Sequence, residues 1–274
     1  MIRDITIGQY YPAKSFIHRL DPRVKILGTL LFLLSLFLQN CILGYALATV
    51  FLILAVKTSK VPFSYIVRGL KAVVFIMLFT VAMNLFFTTG GTVYWHWKAI
   101  HITDQGIRTS IFMAIRLMYL IIGSSLLTFT TTPNNLTDGL ESLMHPLTKL
   151  KVPVHEVAMM MSIALRFIPI LIEETDKIMK AQIARGADLD SGNIIQKTKA
   201  MVPILVPLFV SAFRRANDLA MAMEARCYSG GEGRTKMKPL TYHTSDYLTL
   251  TGLICFLIAE ILIGRFLDFR LWIF

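Results

Sequence analysis

Charge is scarce in this sequence: only 16% of its 274 residues are Asp, Glu, Lys or Arg, where a soluble domain carries about 25%. Acid is scarcer than base, with 17 Asp and Glu against 28 Lys and Arg and a formal net charge of +11. Three cysteines, Cys41, Cys227 and Cys255, are too few and too scattered for a disulfide scaffold. The six histidines, at 18, 96, 101, 145, 155 and 243, have no metal-ligand spacing with cysteine or carboxylate, so no metal site is expected. No Gly-x-Ser-x-Gly or His-Glu-x-x-His element suggests hydrolysis. Residues Ser229–Lys236 look like a phosphate loop but lack the Gly-Lys-[Ser/Thr] ending, and read as a turn. Catalytic residues and a bound cofactor are therefore not expected. Disorder is excluded by a 55% hydrophobic content.

What is present is membrane-like. The mean hydropathy is +0.60, and five apolar segments qualify as spans, at about 24–39, 41–56, 70–89, 107–130 and 246–264. Several approach the ~20 residues needed to cross ~30 Å of hydrocarbon. The first two are short and joined by little more than Gln39-Asn40, as in a tight hairpin. Ala46-Leu47-Ala48 looks like a signal cleavage site but lies inside an apolar run, so no cleaved leader is expected. Between the third and fourth spans, Tyr94, Trp95, His96 and Trp97 form the aromatic belt of a membrane–water boundary.

The basic residues orient the chain. With the N-terminus inside, twenty-three Lys and Arg fall on the cytoplasmic side and four outside; the short loops alone divide nine to four, the sense the positive-inside rule requires. Two further apolar runs, Val157–Ile172 and Met201–Phe213, compete as spans. Counting them in lowers the division to seventeen against nine. Both are short and interrupted, by Arg166 and Pro169 in one and by Pro203 and Pro207 in the other. They are expected on or under the membrane, as helices of an inside module. The organisation is then a membrane domain over 1–130, a cytoplasmic-side module over 131–245, and a last span with a short outside tail over 246–274. Because the basic residues are spread over loops and helix ends, lipid is an expected partner and nucleic acid is not.

Inside the module, Thr132-Pro133 opens one helix that ends near Met144–Pro146. A second is expected from Pro153 to Ala184, bent at Pro169 and stopped by Gly186, and a third from about Ile194 to Ala225. Met179-Lys180-Ala181-Gln182-Ile183-Ala184-Arg185-Gly186 aligns with Ala220-Met221-Ala222-Met223-Glu224-Ala225-Arg226-Cys227 at an offset of forty-one. Each segment closes a long helix with a small residue and an arginine. Alanine permits close approach, and arginine offers an always-charged planar fork that pairs with carboxylate. Two similar plugs suit a partner with two similar sockets.

With these motifs, the basic stretch His18-Arg19-Leu20-Asp21-Pro22-Arg23 and the segment Leu165-Arg166-Phe167-Ile168-Pro169, the chain resembles the transmembrane T components of energy-coupling factor (ECF) transporters, the CbiQ-like family. The likeness spans nearly the whole chain. It implies an all-α, roughly L-shaped polytopic membrane protein of the cell membrane, with about five transmembrane helices and long cytoplasmic coupling helices. It also implies a complex with two ATP-binding-cassette ATPases, which use ATP and Mg, and one small substrate-binding S component that imports a vitamin or metal. The resemblance places the ATPase-docking residues at Ala184, Arg185, Gly186, Ala225, Arg226 and Cys227. Cys227 stands where the family has glycine, which leaves Gly230-Gly231 as an alternative stop for that helix.

Met159, Met160 and Met161 are candidates for S-component contact. Flexible thioethers suit a surface that exchanges partners, although methionine also serves as plain filler in membrane helices. Arg116 and Glu260 are the intramembrane charges. Arg116 lies roughly 13 Å into its helix, where a charge seeks a polar partner; Glu260, near the outer end of the last span, is one such partner. A self-contained membrane transporter and an integral membrane enzyme are the alternative classes. The first calls for polar groups at the midplane, where only Asn84 and Arg116 offer themselves. The second calls for paired carboxylates or histidines on the spans, and the sequence has none.

Overall fold

A computed structural model describes residues 10–39, 41–88, 90, 93–97, 100–187, 194–231, 237 and 239–266. Most of the turn expected over Ser229–Lys236 and most of the tail after the last span lie outside the described residues. Helix α1 (Phe16–Arg19) is capped by Ser15, whose hydroxyl accepts from the His18 amide. Helix α2 (Pro22–Leu38) starts with Pro22 at its first position, and the Asp21 side chain accepts from the Arg23 amide. Helix α3 (Ile42–Ser59) ends at Lys60 in the left-handed region (φ 56°). Helix α4 (Phe63–Phe87) is bent by 58° between Phe63–Lys71 and Val73–Phe87. Then come β1 (Val93–Trp97), β2 (Ile100–Thr103) and α5 (Asp104–Thr130), which begins where Thr103 accepts from the Gly106 amide at 3.0 Å. Helix α6 (Pro133–Met144) leads through a 3₁₀ turn (His145–Leu150) to α7 (Val154–Ala184), α8 (Ile194–Glu224) and α9 (Thr244–Phe266).

The protein is thus an all-α polytopic membrane protein with one small addition. The aromatic loop between α4 and α5 is an antiparallel hairpin pairing Trp95 with Ile102 and Trp97 with Ile100, in a stretch rich in the aromatic and β-branched residues that favour extended chain. Helices α3, α5, α7 and α9 are long and apolar enough to cross a membrane, and so is bent α4 taken as one span. Helix α2 has 17 residues, about 25 Å of helical rise, a little short of the hydrocarbon thickness. Helices α7 and α8 continue through Pro169 and through Pro203 and Pro207.

The chain divides into two compact units. One comprises Gly8–Ser142 and Leu240–Phe274, the other Leu143–Pro239. In the first, Phe32, Leu36, Ala48, Leu52 and Phe256 form a buried cluster in which the Phe51 and Phe256 rings stack at 4.5 Å. Glycine permits the helices to come this close: a methyl group on Gly123 would lie 2.9 Å from the Phe32 ring. Outward-facing side chains are also apolar, Phe75 being 81% exposed. That pattern suits a lipid solvent, where an apolar exterior carries no penalty.

At the cytoplasmic end expected for α2, several buried or half-buried charges in this unit are engaged by polar partners. Asp246, 1% exposed, accepts from the Asp21 amide and the His243 amide, each at 2.8 Å. Arg23 pairs with Asp21 at 2.8 Å, donates to the Leu240 carbonyl at 3.1 Å and to Ser142 Oγ at 3.3 Å, and lies 3.8 Å over the Tyr242 ring. Lys25 Nζ donates to the carbonyls of His18 and Thr130, both at 3.1 Å. The start of α2, the ends of α5 and α6 and the entry to α9 are thereby fastened at one point. The His18–Arg23 motif is a structural staple, and in such a network loss of one partner strands a buried charge.

His18 contributes in its neutral form. Nε2 lies 2.9 Å from the Tyr11 carbonyl, which can only accept, so Nε2 carries the hydrogen and Nδ1 accepts from the Ser15 hydroxyl at 2.6 Å. Burial, helped by the charge of Lys25, holds its pKa below the ordinary 6.5. A depressed folded pKa means that its contribution is present above about 6.5 and is lost as the pH falls below it. Asp21 adds to this in more acidic solution: burial pushes its pKa up, but hydrogen bonds and charge from Arg23 outweigh that and leave it low. The thermal midpoint of the detergent-solubilised protein should therefore fall between pH 7 and pH 5. His18→Gln should flatten that slope; an unchanged slope contradicts the assignment.

Candidate functional site

The two plug motifs terminate α7 and α8 in the same hydrogen-bond pattern. At the end of α7 the Gly186 amide donates to the Ile183 carbonyl at 2.9 Å and the Ala187 amide to Gln182 at 3.0 Å. At the end of α8 the Cys227 amide donates to Glu224 at 2.8 Å and the Tyr228 amide to Met223 at 3.0 Å. Each is a paired 5→2 and 6→1 closure about a left-handed residue. Gly186 takes that place with φ 86°, and Cys227 takes it with φ 55°. The stop on α8 is therefore at Cys227 itself and not at Gly230-Gly231, although Gly230 also has positive φ (104°). Residue preference points away from this because a side chain in that region costs roughly 1–2 kcal/mol, a cost the two closing hydrogen bonds offset.

The helix ends leave their charges available. Ala184, Arg185 and Gly186 are exposed, as are Ala225, Arg226 and Cys227. Neither guanidinium has a hydrogen bond or ion pair among the described residues. Beside them stand exposed apolar side chains, Ile183 at 54% and Met221 at 61%. An exposed cation beside small and apolar residues, on a helix end closed by two hydrogen bonds, is chemically able to pair with a carboxylate. Since a helix also carries partial negative charge at its C-terminus, arginine is at home there.

The other expected site residues are differently placed. Met160 and Met161 are exposed and Met159 partly so. They share unit Leu143–Pro239 with an exposed apolar stripe on α8, where Val202, Val206, Phe209 and Phe213 recur at helical spacing. Arg116 and Glu260 do not form the expected ion pair. Arg116 Nε donates to the Tyr45 hydroxyl and Nη2 to the Gln39 carbonyl, both at 2.8 Å. Gln39, 1% exposed, then donates from Nε2 to the Glu260 backbone carbonyl at 3.0 Å. The Gln39 amide occupies the space that a side chain on Gly44 would fill. A guanidinium satisfied by two neutral acceptors has no need of a carboxylate. Gln39, in sequence no more than a loop residue, is the bridge. One ion pair that sequence reasoning passes over joins α7 to α8: Arg215 Nη2 meets Glu174 Oε2 at 2.8 Å.

Long helices with exposed arginines at their ends, together with a unit of helices apolar enough to cross a membrane, define a polytopic membrane protein of the transport-component class. Comparison with known proteins agrees. Residues 13–237 match the family described as cobalt transport protein, CbiQ. The chain is 57% identical over 249 residues to the energy-coupling factor transporter transmembrane protein of Clostridium kluyveri, covering 90% of this chain and 92% of the relative. It is 52% identical over 269 residues to that of Ruminiclostridium cellulolyticum, covering 98% and 100%. Against that of Bacillus subtilis it is 50% identical over 254 residues, covering 93% and 96%. The chain belongs to the CbiQ family, as an energy-coupling transmembrane component of ECF transporters and not an enzyme.

The two left-handed positions can be tested by exchanging their residues. Nothing lies within 4 Å of the place a methyl group on Gly186 would take, so Gly186→Ala adds strain alone and should destabilise the α7 end by about 1 kcal/mol. Cys227→Gly should stabilise the α8 end by a similar amount, about 1 kcal/mol. Amide hydrogen exchange over residues 180–187 and 221–228 reads both; equal protection in all variants would contradict the caps.

Proposed function

We propose that this chain transmits the work of two ATP-binding-cassette ATPases to one small membrane S component. Arg185 and Arg226 each seat in a groove of one ATPase, on the cytoplasmic side, with the N-terminus also cytoplasmic. ATP and Mg are bound by the ATPases. Closure of the ATPase pair moves the two grooves, and the arginines carry that movement into α7 and α8. The helices then tilt or release the S component so that its vitamin or metal site faces inward. The observation that carries this reading is the pair of matched helix ends, alike in sequence, capping and exposure. A guanidinium that is exposed and has no hydrogen bond or ion pair among the described residues is chemically suited to a carboxylate on another molecule. The division of basic residues supports the cytoplasmic side for both.

In whole cells, Arg185→Ala combined with Arg226→Ala should abolish substrate uptake while the isolated ATPases still hydrolyse ATP. Normal uptake in the double variant rejects the mechanism.

Met159–Met161, of which Met160 and Met161 are exposed, are read as part of a surface that accepts more than one S component. Replacing all three with leucine keeps the apolar area but removes the flexibility. Uptake through some S components should then fall more than through others, measured by competitive uptake of two substrates in one strain. An equal effect on all contradicts partner exchange.

A further inference from the structure

Helices α7 and α8 contain 31 residues each, and their contacts follow one rule. Ile163 lines the same cleft as Met223. Glu174 meets Arg215 at 2.8 Å. Gln182 Nε2 donates to the Pro203 carbonyl at 3.0 Å. As the position on α7 rises, its partner on α8 falls, so the helices run antiparallel. The sequence repeat supplies a second rule: adding forty-one to a position on α7 gives its counterpart on α8. Applied to Gln182 and Pro203, the repeat gives Met223 and Ser162, the latter adjacent to Ile163, and Ile163 and Met223 line one cleft.

Only one kind of place allows counterparts to touch each other, namely the axis of a two-fold operation. Glu174 and Arg215 are counterparts, forty-one residues apart. So are Leu171 and Ala212, which share the cleft of about 300 Å³ between the helices. The approximate two-fold axis therefore passes beside the ion pair. Arg185 lies eleven residues beyond Glu174, and Arg226 lies eleven beyond Arg215. The two arms are equal, about 16 Å each by helical rise, and point in opposite directions.

The rest of the contact gives weak control of this geometry. Apart from the neutral Gln182–Pro203 hydrogen bond, it is a cleft that Ala212, Ala216, Leu219, Ala220 and Met223 line with Ile163, Phe167 and Leu171, and apolar contact of this kind is not directional. A charge-assisted hydrogen bond is directional. We propose that the Glu174–Arg215 ion pair is the pivot of the α7–α8 pair: these are positioning residues that hold Arg185 and Arg226 at the separation two like ATPases require. The proposal rests on the docking reading of those arginines, but its structural half does not depend on it.

Nitroxide labels placed at counterpart positions, Ala187→Cys and Tyr228→Cys, report the arm separation in the full-length chain in lipid nanodiscs without ATPases. Cys41→Ala, Cys227→Gly and Cys255→Ala remove the native thiols. Electron–electron distance measurement should show E174Q and R215A each shifting the population of the native separation by roughly two- to fivefold, the range a partly exposed ion pair supports. The exchange E174R/R215E should restore the native distribution, because only the pairing and not the individual charge matters. Uptake by the assembled transporter should fall by a similar factor, about two- to fivefold, in the single variants and recover in the exchange. Unmoved distances in both single variants, or a folded exchange that fails to restore them, overturn the pivot. If the exchange cannot be purified folded, E174D decides: a carboxylate one methylene short should displace the distribution, and an unmoved one overturns the proposal. Failure of the docking reading looks different, since native distances would then accompany normal uptake in the Arg185→Ala, Arg226→Ala double variant.

Discussion

A helix that is to hand a charge to another molecule must stop sharply, since a frayed end spreads that charge over many positions. The left-handed residue after each arginine meets this constraint. It turns the chain out of the helix while two amides fold back onto carbonyls that would otherwise be unsatisfied. Gly186 does this without strain and Cys227 does it against strain, and the closing hydrogen bonds are the same at both ends. Two helices of equal length, ended alike and paired antiparallel about Glu174 and Arg215, present two equivalent ends. On the docking reading proposed above, two equivalent ends suit a partner that is itself two-fold.

The membrane-spanning unit follows a different logic. Its apolar side chains face outward as readily as inward, so burial of apolar area does little to choose one helix arrangement over another. Selection falls to close approach at glycine and to polar groups with no water to turn to. Gly123 against Phe32 and Gly28 against Leu253 are examples of the first. The Asp21–Arg23–Asp246 staple and the Arg116–Gln39 bridge are examples of the second. Each joins segments that are far apart in the chain, which is why a few hydrogen bonds can specify a topology that hydropathy leaves open.

Much of the architecture is legible in the sequence because its signals are local. Apolar runs bounded by charge mark most helices able to span, although α7, whose Val157–Ile172 run reads in sequence as lying on or under the membrane, is also long and apolar enough to cross; proline before that helix and glycine after it set its limits closely. Helix α8 is placed almost as well, at Ile194–Glu224 against an expected end near Ala225. The hairpin at Val93–Thr103 is not legible, because aromatic residues at a membrane boundary read equally well as loop. Cys227 misleads for a related reason: propensity names the residue that suits a conformation most often, while the actual conformation is set by the hydrogen bonds it completes. Charge alone pairs Arg116 with Glu260, whereas Gln39 is the better match for position and direction.

The sequence by itself determined the class of solvent, the number and limits of the long helices, and the repeat that pairs Arg185 with Arg226. These depend on composition and on spacing of 3.6 or forty-one residues, which a linear chain carries in full. Tertiary structure alone decided which polar groups meet. That Glu174 should find Arg215, that Asp246 should hold the start of α2, and that Arg116 should turn to Gln39 rest on distances between segments remote in the chain. Hydrogen bonds discriminate over tenths of an ångström, and no pattern along the sequence encodes a separation that fine.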